Sequence, residues 1–328
     1  MELPGGQAAA MTISRRGFLG GMGAGSLVWF TRHAWVQNVD ALGQLINREV
    51  GARNIGIEVA RFIPEGDSVR ELFRFGINQN ELRPTASCFK AWVVLYYFTF
   101  TPEPQWADAD GTDTYNVAVN SHNVATGRLI RDTGQYQDFG NDLEKFNDFL
   151  IYSMSMEHGI ASWNWEGNPL VGFVDGRFAA GPNRLVRAQG TTHEIGNVTT
   201  AADTLNGYRE LYRRSFAQDA DPYGGDPDRR KRTALRTMDL LAKPSDNAEY
   251  DSPVERAAGR DVYIGKDGVL PVESTTAGRV INDAGLIPME TGAYGISFFS
   301  VAESEFSAIE ILRTIVDGIY EVEQSLAL

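Results

Sequence analysis

Cysteine and histidine are scarce in this sequence, which has one cysteine, Cys88, and four histidines among 328 residues. A single cysteine excludes an intramolecular disulfide, so an exported form of the chain would be stable on packing alone. Zinc sites are built from clusters of cysteine and histidine at short spacings, and no such cluster occurs here. The sequence therefore predicts a protein without a zinc site.

Basic residues are outnumbered by acidic ones, with 30 Lys and Arg against 43 Asp and Glu and a formal net charge of -13. Binding a phosphate backbone requires clustered Lys and Arg, so this balance argues against a nucleic-acid partner. The densest basic run, Arg229 to Arg232, is short and follows an acidic stretch. We interpret it as a solvated helix start.

The N-terminal region lacks a hydrophobic run long enough to span a bilayer, which needs roughly 20 residues. The pair Arg15-Arg16 precedes a weakly apolar, Gly-rich stretch that ends near Phe30, and this order resembles a twin-arginine signal. We expect residues 1–36 to be a signal segment read by the export machinery, and the protein to be periplasmic or secreted. The absence of cysteine from the segment excludes a lipoprotein anchor, and either Met1 or Met11 can be the start.

The full chain is 43% hydrophobic and 11% aromatic, which is enough for a globular enzyme, and we expect a monomer. Alternating apolar residues predict strands, and apolar residues at helical spacing predict helices. The predicted strands are 55–62, 72–76, 261–265, 280–287 and 294–300, and the predicted helices include 118–131, 143–153, 201–215 and 306–323.

This order predicts an α+β fold in which an antiparallel sheet, flanked by N- and C-terminal helices, is interrupted by an inserted all-helical domain. The sheet domain would comprise residues 37–84 and 233–328, and the inserted domain, with the active-site loop, residues 85–232. A cleft is expected between the two.

The segment Ser87-Cys88-Phe89-Lys90 opens the most apolar helix of the chain. Positions i and i+3 share one helix face, so the Ser87 hydroxyl and the Lys90 amine are neighbours. A lysine held in a partly dry cleft near a helix N-terminus is pushed toward its neutral form and can take the serine proton. Backbone N–H groups at the same helix start can hold an oxyanion.

Two further short motifs follow in the chain. Ser121-His122-Asn123 is predicted on a helix over 117–126, and Lys266-Asp267-Gly268 on or just after the strand that ends at Gly265. Ser-x-x-Lys, Ser-x-Asn and Lys-x-Gly in this order resemble the active-site serine β-lactamases and penicillin-binding proteins. The segment 280–287 with Asn282-Asp283 and the final helix look like the end of a class A β-lactamase-like domain, so the resemblance spans roughly residues 42–320.

The resemblance implies a role for each matching residue and needs no cofactor. Ser87 would attack the substrate carbonyl, and Lys90 would be its base or base partner. Ser121 would relay a proton to the leaving nitrogen, while Asn123 would orient Lys90 and bind the substrate amide. The stretch Lys266-Asp267-Gly268-Val269 would bind substrate, with Lys266 facing its carboxylate and the N–H groups of Ser87 and Val269 forming the oxyanion hole.

The same resemblance suggests a base for deacylation. Class A enzymes activate the water with a glutamate from a loop across the cleft, and Trp165-Glu166 resembles that loop. We assign Glu166 this role, with Glu157 as the alternative. The asparagine that usually follows in the loop is absent from its expected step, where Leu170 stands, and Asn168 is the nearest substitute.

The sequence also departs from the family pattern. His122 stands where class A enzymes have aspartate, and Asp267 stands where the family has Thr or Ser, which donate a hydrogen bond to the substrate carboxylate. An aspartate can only accept and carries a like charge. The leading hypothesis is a hydrolase of a β-lactam or related amide. The alternatives are a D-alanyl-D-alanine peptidase or esterase of the same superfamily, or a module that binds β-lactams or cell-wall peptides without hydrolysing them.

Overall fold

The computed structural model describes the chain from residue 24 to 326, except for residues 138–141, 161, 166–167, 172–183, 189–190, 196, 219–225, 246–251, 259–262, 271–278 and 302. For residues 24–34, for the described residues between 162 and 195, and for residues 258 and 326, only the backbone is described. The segment that carries Arg15-Arg16 lies outside the described residues. Among the described residues, no helix combines the length and the apolar character that crossing a bilayer requires.

The described elements are the following helices and strands. The helices are α1 (Ala24–Val50), α2 (Lys90–Phe100), α3 (Asp113–Ala118), α4 (Asn123–Gly134), α5 (Asp142–Met154), α6 (Ala201–Arg214), α7 (Pro227–Leu241), α8 (Pro253–Ala258) and α9 (Glu305–Leu326). The strands are β1 (Ile55–Glu65), β2 (Ser68–Ile77), β3 (Arg83–Pro84), β4 (Ser162–Trp165), β5 (Asn168–Val171), β6 (Arg184–Ala188), β7 (Thr191–Ile195), β8 (Val198–Thr199), β9 (Ile264–Leu270), β10 (Val280–Met289) and β11 (Gly292–Val301).

The main sheet is antiparallel and has the strand order β2-β1-β11-β10-β9. Strands from both ends of the sequence therefore lie side by side in the sheet. The helical region lies between β2 and β9 in the sequence. The first two predicted strands, β1 and β2, form an antiparallel hairpin, and Gly66 at its turn has a φ of 61°, which glycine adopts without steric cost. The α+β class with an antiparallel sheet is confirmed.

Both faces of the sheet are covered, which is why β1 is buried along most of its length. On one face, Ile57 and Phe298 pack against the apolar side of α9, which presents Leu312, Ile315 and Ile319 at helical spacing. On the other face, the sheet packs against the cluster that contains α2 and α6. Helix α2 is buried from Lys90 to Phe98, so close packing holds it in place within the helical region. Side chains at its first turn are therefore held in fixed positions.

The helical region differs from the prediction in two places. Short paired strands occur in it, β4 with β5 and β6 with β7, where the sequence pattern predicted helices and loops only. The predicted helix over 117–126 is also wrong, because α3 ends at Ala118 and α4 begins at Asn123. Ser121 has a φ of 54°, and a residue in the left-handed region cannot continue a right-handed helix.

Two boundaries are shifted and one charge run is partly buried. Strand β9 extends to Leu270, so Lys266-Asp267-Gly268 lies within a strand and not after it. Helix α2 begins at Lys90, so Ser87 precedes the helix by one turn. The basic run near Arg229 does start a helix, α7, but Arg230 is buried and forms an ion pair with Glu210 over 2.8 Å.

Candidate active site

Ser87 lies in a tight turn that leads into α2. The backbone N–H of Cys88 bonds to the carbonyl of Thr85 over 3.2 Å, and the N–H of Lys90 bonds to the carbonyl of Ser87 over 3.0 Å. Ala86, just before the serine, has a φ of 47°. Left-handed backbone at a residue other than glycine costs roughly 1–3 kcal/mol and is concentrated at functional sites. The turn leaves Ser87 half-buried while Cys88 and Lys90 are buried.

The amine of Lys90 joins the first motif to the second. Its Nζ lies 2.5 Å from the carbonyl oxygen of Ser121, 3.2 Å from Ser121 Oγ and 2.6 Å from Asn123 Oδ1. The left-handed conformation of Ser121 turns both its carbonyl and its hydroxyl toward this amine. The structure therefore places Lys90 between the Ser87 turn and the loop that carries Ser121 and Asn123.

Burial governs the protonation of Lys90. Desolvation lowers the pKa of its amine well below the usual value, and the nearby positive charge of Lys266 lowers it further, while Asp267 acts in the opposite direction. The neutral amine is a proton acceptor, and the charged form is not. Lys90 can thus accept a proton from a neighbouring hydroxyl at a lower pH than an exposed lysine could.

The third motif approaches the same serine from the sheet. Strand β9 is the edge strand, and it lies against the Ser87 turn at Gly268. A β-carbon at Gly268 would be 2.6 Å from the backbone nitrogen of Ser87 and 2.8 Å from Ala86 Cβ, so no larger residue fits there. Val269, the next residue, is 45% exposed. All three motifs, widely separated in the sequence, meet in one place.

Lys266 and Asp267 pair with each other. The Lys266 side chain is 3% exposed, and its Nζ lies 2.5 Å from Asp267 Oδ1. The resemblance assigns the charge of this lysine to a substrate carboxylate, but in the structure a carboxylate of the chain itself already occupies the position beside it. Strand β9 therefore presents an internally neutralised pair next to Ser87.

His122 has a structural role in the described geometry. It is the N-cap of α4, and its Nδ1 accepts a hydrogen bond from the backbone N–H of Ala125 over 3.2 Å. This bond satisfies one of the free N–H groups at the helix start.

The deacylation residues are only partly described. Glu166 lies outside the described residues, and for Asn168 only the backbone is described, as part of β5. Glu157 is exposed, and its backbone N–H donates to Asp203 Oδ1 over 2.7 Å. Asp203 Oδ2 accepts from the backbone N–H of His158 and contacts its Nδ1, both at 2.9 Å. Asp203 thus anchors the segment that follows α5.

Two residues that sequence reasoning did not assign to the site support it from below. Asn282 on β10 donates to the carbonyl of Pro84 over 2.6 Å and so ties the sheet to the strand before the Ser87 turn. Asp283 lies directly opposite Asp267 across the β9–β10 pair. The sequence does contain a sign of their importance, because Asn282 and Asp283 are adjacent polar residues inside an otherwise apolar strand. Burying such a pair is costly unless both side chains are hydrogen-bonded.

Asp283 is fully buried and well satisfied. It accepts from Tyr263 OH over 2.6 Å, from the backbone N–H of Val254 over 2.7 Å, and from the hydroxyl of Ser252. Burial and the charge of Asp267 raise the pKa of this carboxyl to about 7, although the hydrogen bonds act in the opposite direction. The Asp283 carboxyl, which pairs with Asp267 across the sheet, therefore changes its charge near neutral pH.

No group of three His, Cys, Asp or Glu in the described part of the chain is arranged to hold a metal ion.

The electrostatics around Lys90 can be tested by replacing Asn123 with Asp. The substitution keeps the side-chain size and places a carboxylate where Oδ1 now lies 2.6 Å from the amine. A negative charge at this distance favours the ammonium and raises the pKa of Lys90. We expect the rate at which Ser87 is acylated at about pH 7 to fall at least about ten-fold and to recover at alkaline pH. Rapid-quench mass spectrometry across the pH range would measure this.

The control for that variant is Asn47→Asp on the exposed side of α1, which adds the same charge away from the site. It should leave the pH profile of acylation in place. An Asn123→Asp protein whose profile coincides with that of the wild type would contradict the role given to Asn123.

The contact between β9 and the Ser87 turn is tested by Gly268→Ala. The added methyl group has to displace backbone, so we expect acylation to fall at least ten-fold and unfolding to become easier by about 1–3 kcal/mol. Gly318→Ala in α9 is a matched control, because its methyl group would meet only the tips of Leu45 and Leu42, 2.8 and 3.1 Å away. That control should change stability little and should leave acylation unchanged. Full acylation by the Gly268→Ala protein would show that the close contact is unimportant.

Comparison with known proteins supplies the context for this geometry. No protein-family model and no curated protein matches the chain. Solved structures do match it, with TM-scores just above 0.5. The β-lactamase from Sphaerobacter thermophilus DSM 20745 aligns with a TM-score of 0.53 and 16% identity, over 86% of this chain and 96% of that one.

Other solved structures agree at similarly low identity. The β-lactamase from Streptomyces albus G aligns with a TM-score of 0.52 and 13% identity over 85% of this chain and 98% of that one. The β-lactamase from Desulfarculus baarsii DSM 2075 aligns with a TM-score of 0.51 and 11% identity over 88% and 98%. Likeness at this level of identity concerns the arrangement of the backbone. The chain therefore has the fold of the class A β-lactamases.

Proposed function

We propose that the chain is a serine acyl hydrolase that opens a β-lactam or a related amide through an acyl-enzyme on Ser87. The observation that carries the proposal is the environment of Lys90, a buried amine one turn after Ser87 that hydrogen-bonds to Ser121 and Asn123. A buried lysine with a lowered pKa beside a half-buried serine is the arrangement that activates a hydroxyl nucleophile.

The acylation step follows from these positions. Neutral Lys90 takes the proton from Ser87 Oγ as the oxygen attacks the substrate carbonyl, and the carbonyl electrons move onto its oxygen. The backbone N–H groups of Ser87 and Val269 hold that oxyanion, a type of contact worth about 3–4 kcal/mol per donor in comparable enzymes. The intermediate collapses, the bond from carbon to nitrogen breaks, and the nitrogen takes a proton that Lys90 returns through Ser121 Oγ, 3.2 Å away.

Deacylation requires a water molecule that loses a proton as it attacks the ester of Ser87. Glu166 is the proposed base, by resemblance to the loop of class A enzymes. Glu157 stays the alternative, and its exposed position at the end of the segment anchored by Asp203 leaves it less protected from solvent than a general base usually is.

Intact mass spectrometry tests the proposed function. The protein is incubated with an alkyl fluorophosphonate and, separately, with benzylpenicillin. We expect a stable phosphonyl adduct on Ser87, and a transient acyl adduct accompanied by product release. A long-lived acyl adduct would instead support a peptidase or a binding module. Absence of an adduct with both reagents would remove catalysis by Ser87.

One observation favours a second candidate, an esterase of the same superfamily. Asp267 occupies the place beside Lys266 where a substrate carboxylate would bind in a β-lactamase.

Export remains a prediction, since the twin-arginine segment lies outside the described residues. Its recognition by the export machinery, and the periplasmic or secreted location, belong to this proposal.

A further inference from the structure

The charges that face the cleft at β9 nearly cancel. Lys266 contributes one positive charge, and Asp267 contributes one negative charge over 2.5 Å. Their side chains are 3% and 18% exposed, so the carboxylate is the more accessible of the two. A molecule that approaches Ser87 along this strand therefore meets acceptor oxygens before it meets the lysine.

Neighbouring groups add little positive charge to this pair. Burial, and after it the charge of Lys266, lowers the pKa of Lys90, which favours the neutral form of its amine. Burial raises the pKa of Cys88, Tyr208 and Tyr263, so these three are neutral as well. Asp283, beneath Asp267, is partly ionised at neutral pH because its pKa is about 7.

Arginines near this end of the sheet are engaged elsewhere. Arg279, just before β10, faces Glu305 at 3.8 Å, and Arg83 forms an ion pair with Glu81 over 2.6 Å. On strands β9 and β10 beside Ser87, the charges of Lys266, Asp267 and Asp283 therefore sum to zero or to a negative value near neutral pH. The chain as a whole has a net charge of -13, which also repels anions.

We infer that this cleft takes an acyl substrate with no carboxylate at the end that faces β9, that is, a neutral or cationic ester or amide. The inference rests on the proposed acylation of Ser87. A carboxylate placed beside Lys266 has to displace Asp267 or bind next to it, and two carboxylates sharing one buried cation are unfavourable. A neutral carbonyl or an N–H donor meets neither cost, and an N–H can donate to the exposed oxygen of Asp267.

Benzylpenicillin and its methyl ester form a matched pair that differs only at this carboxylate. We expect the methyl ester to acylate Ser87 at least ten-fold faster than benzylpenicillin, measured as the second-order rate of adduct formation by intact mass. Asp267→Thr should reverse this order, because it frees Lys266 and supplies a hydroxyl donor. Asp267→Asn removes the charge at constant size and should move the ratio in the same direction. Asp317→Asn, on the exposed side of α9, is the control for net charge and should keep the wild-type ratio.

The fluorophosphonate, which has no carboxylate, distinguishes a failure of the inference about substrate charge from a failure of the proposed acylation of Ser87. If it labels Ser87 while the wild-type protein prefers benzylpenicillin to its ester, the inference is wrong and the proposed function stands. If neither reagent modifies Ser87, the proposed function fails and the inference with it. The comparison within the wild-type protein remains decisive even if the Asp267 variants unfold, which thermal melting would reveal.

Discussion

Replacing Ser87 by Ala should abolish the covalent adduct and reduce turnover by at least about 10⁴-fold, the scale seen when a nucleophile is removed from a catalytic unit. Lys90, Ser121 and Asn123 would keep their mutual hydrogen bonds, because none of these contacts involves the Ser87 hydroxyl. The variant should therefore fold with nearly unchanged stability. Intact mass after fluorophosphonate treatment and a thermal melt would measure both.

The control is Ser68→Ala, which removes an exposed hydroxyl from the β1–β2 turn that donates to the carbonyl of Glu65. It should react like the wild type. An adduct that persists on the Ser87→Ala protein would move the nucleophile to another side chain and undo the assignment of the site.

Replacing Lys90 by Met should lower the rate of acylation by about 10³-fold or more, since general-base assistance is worth roughly 10²–10⁴-fold and the amine also serves the proton relay through Ser121. Methionine has similar length and suits a buried position without carrying a proton. The wild-type rate should rise as Lys90 loses its proton, and the variant should lack this rise. Acylation kinetics as a function of pH would show the difference.

Lys90 also makes the stability of the folded protein depend on pH. Burial lowers the pKa of Lys90 in the folded chain, so between the folded and the unfolded pKa the unfolded state binds one more proton. Stability contributed by this position therefore increases as the pH rises through that window. Urea unfolding at about pH 7 and pH 9 should show a larger gain for the wild type than for Lys90→Met. Equal gains would mean that Lys90 is already charged in the folded protein, which contradicts its role as a base.

Much of the fold was predictable because the patterns are local. The alternation near β1 and β2, the Gly66 turn between them, and the apolar spacing in α9 each reflect which side of one element is buried. The Ser-x-x-Lys pair was equally local, since one helical turn brings its two side chains together. The order of the predicted strands and helices then indicated the α+β class.

Local patterns failed where the backbone leaves a regular path. Apolar spacing continues through residues 117–126, so nothing in the pattern indicates the left-handed φ of Ser121 that splits the predicted helix. That break brings the Ser121 hydroxyl to Lys90. The short strands β4 to β7 were missed for a related reason, since pairs of four or five residues provide too few positions for a period to show.

The sequence alone determined which chemical groups this protein has, and that two of them, Ser87 and Lys90, are neighbours. Tertiary structure decided how charge is distributed among them, because a pKa and an ion pair depend on burial and on distances between remote segments. The contact of Gly268 with the Ser87 turn, the buried amine held by Ser121 and Asn123, and the neutralisation of Lys266 by Asp267 all arise where β9 meets the start of α2.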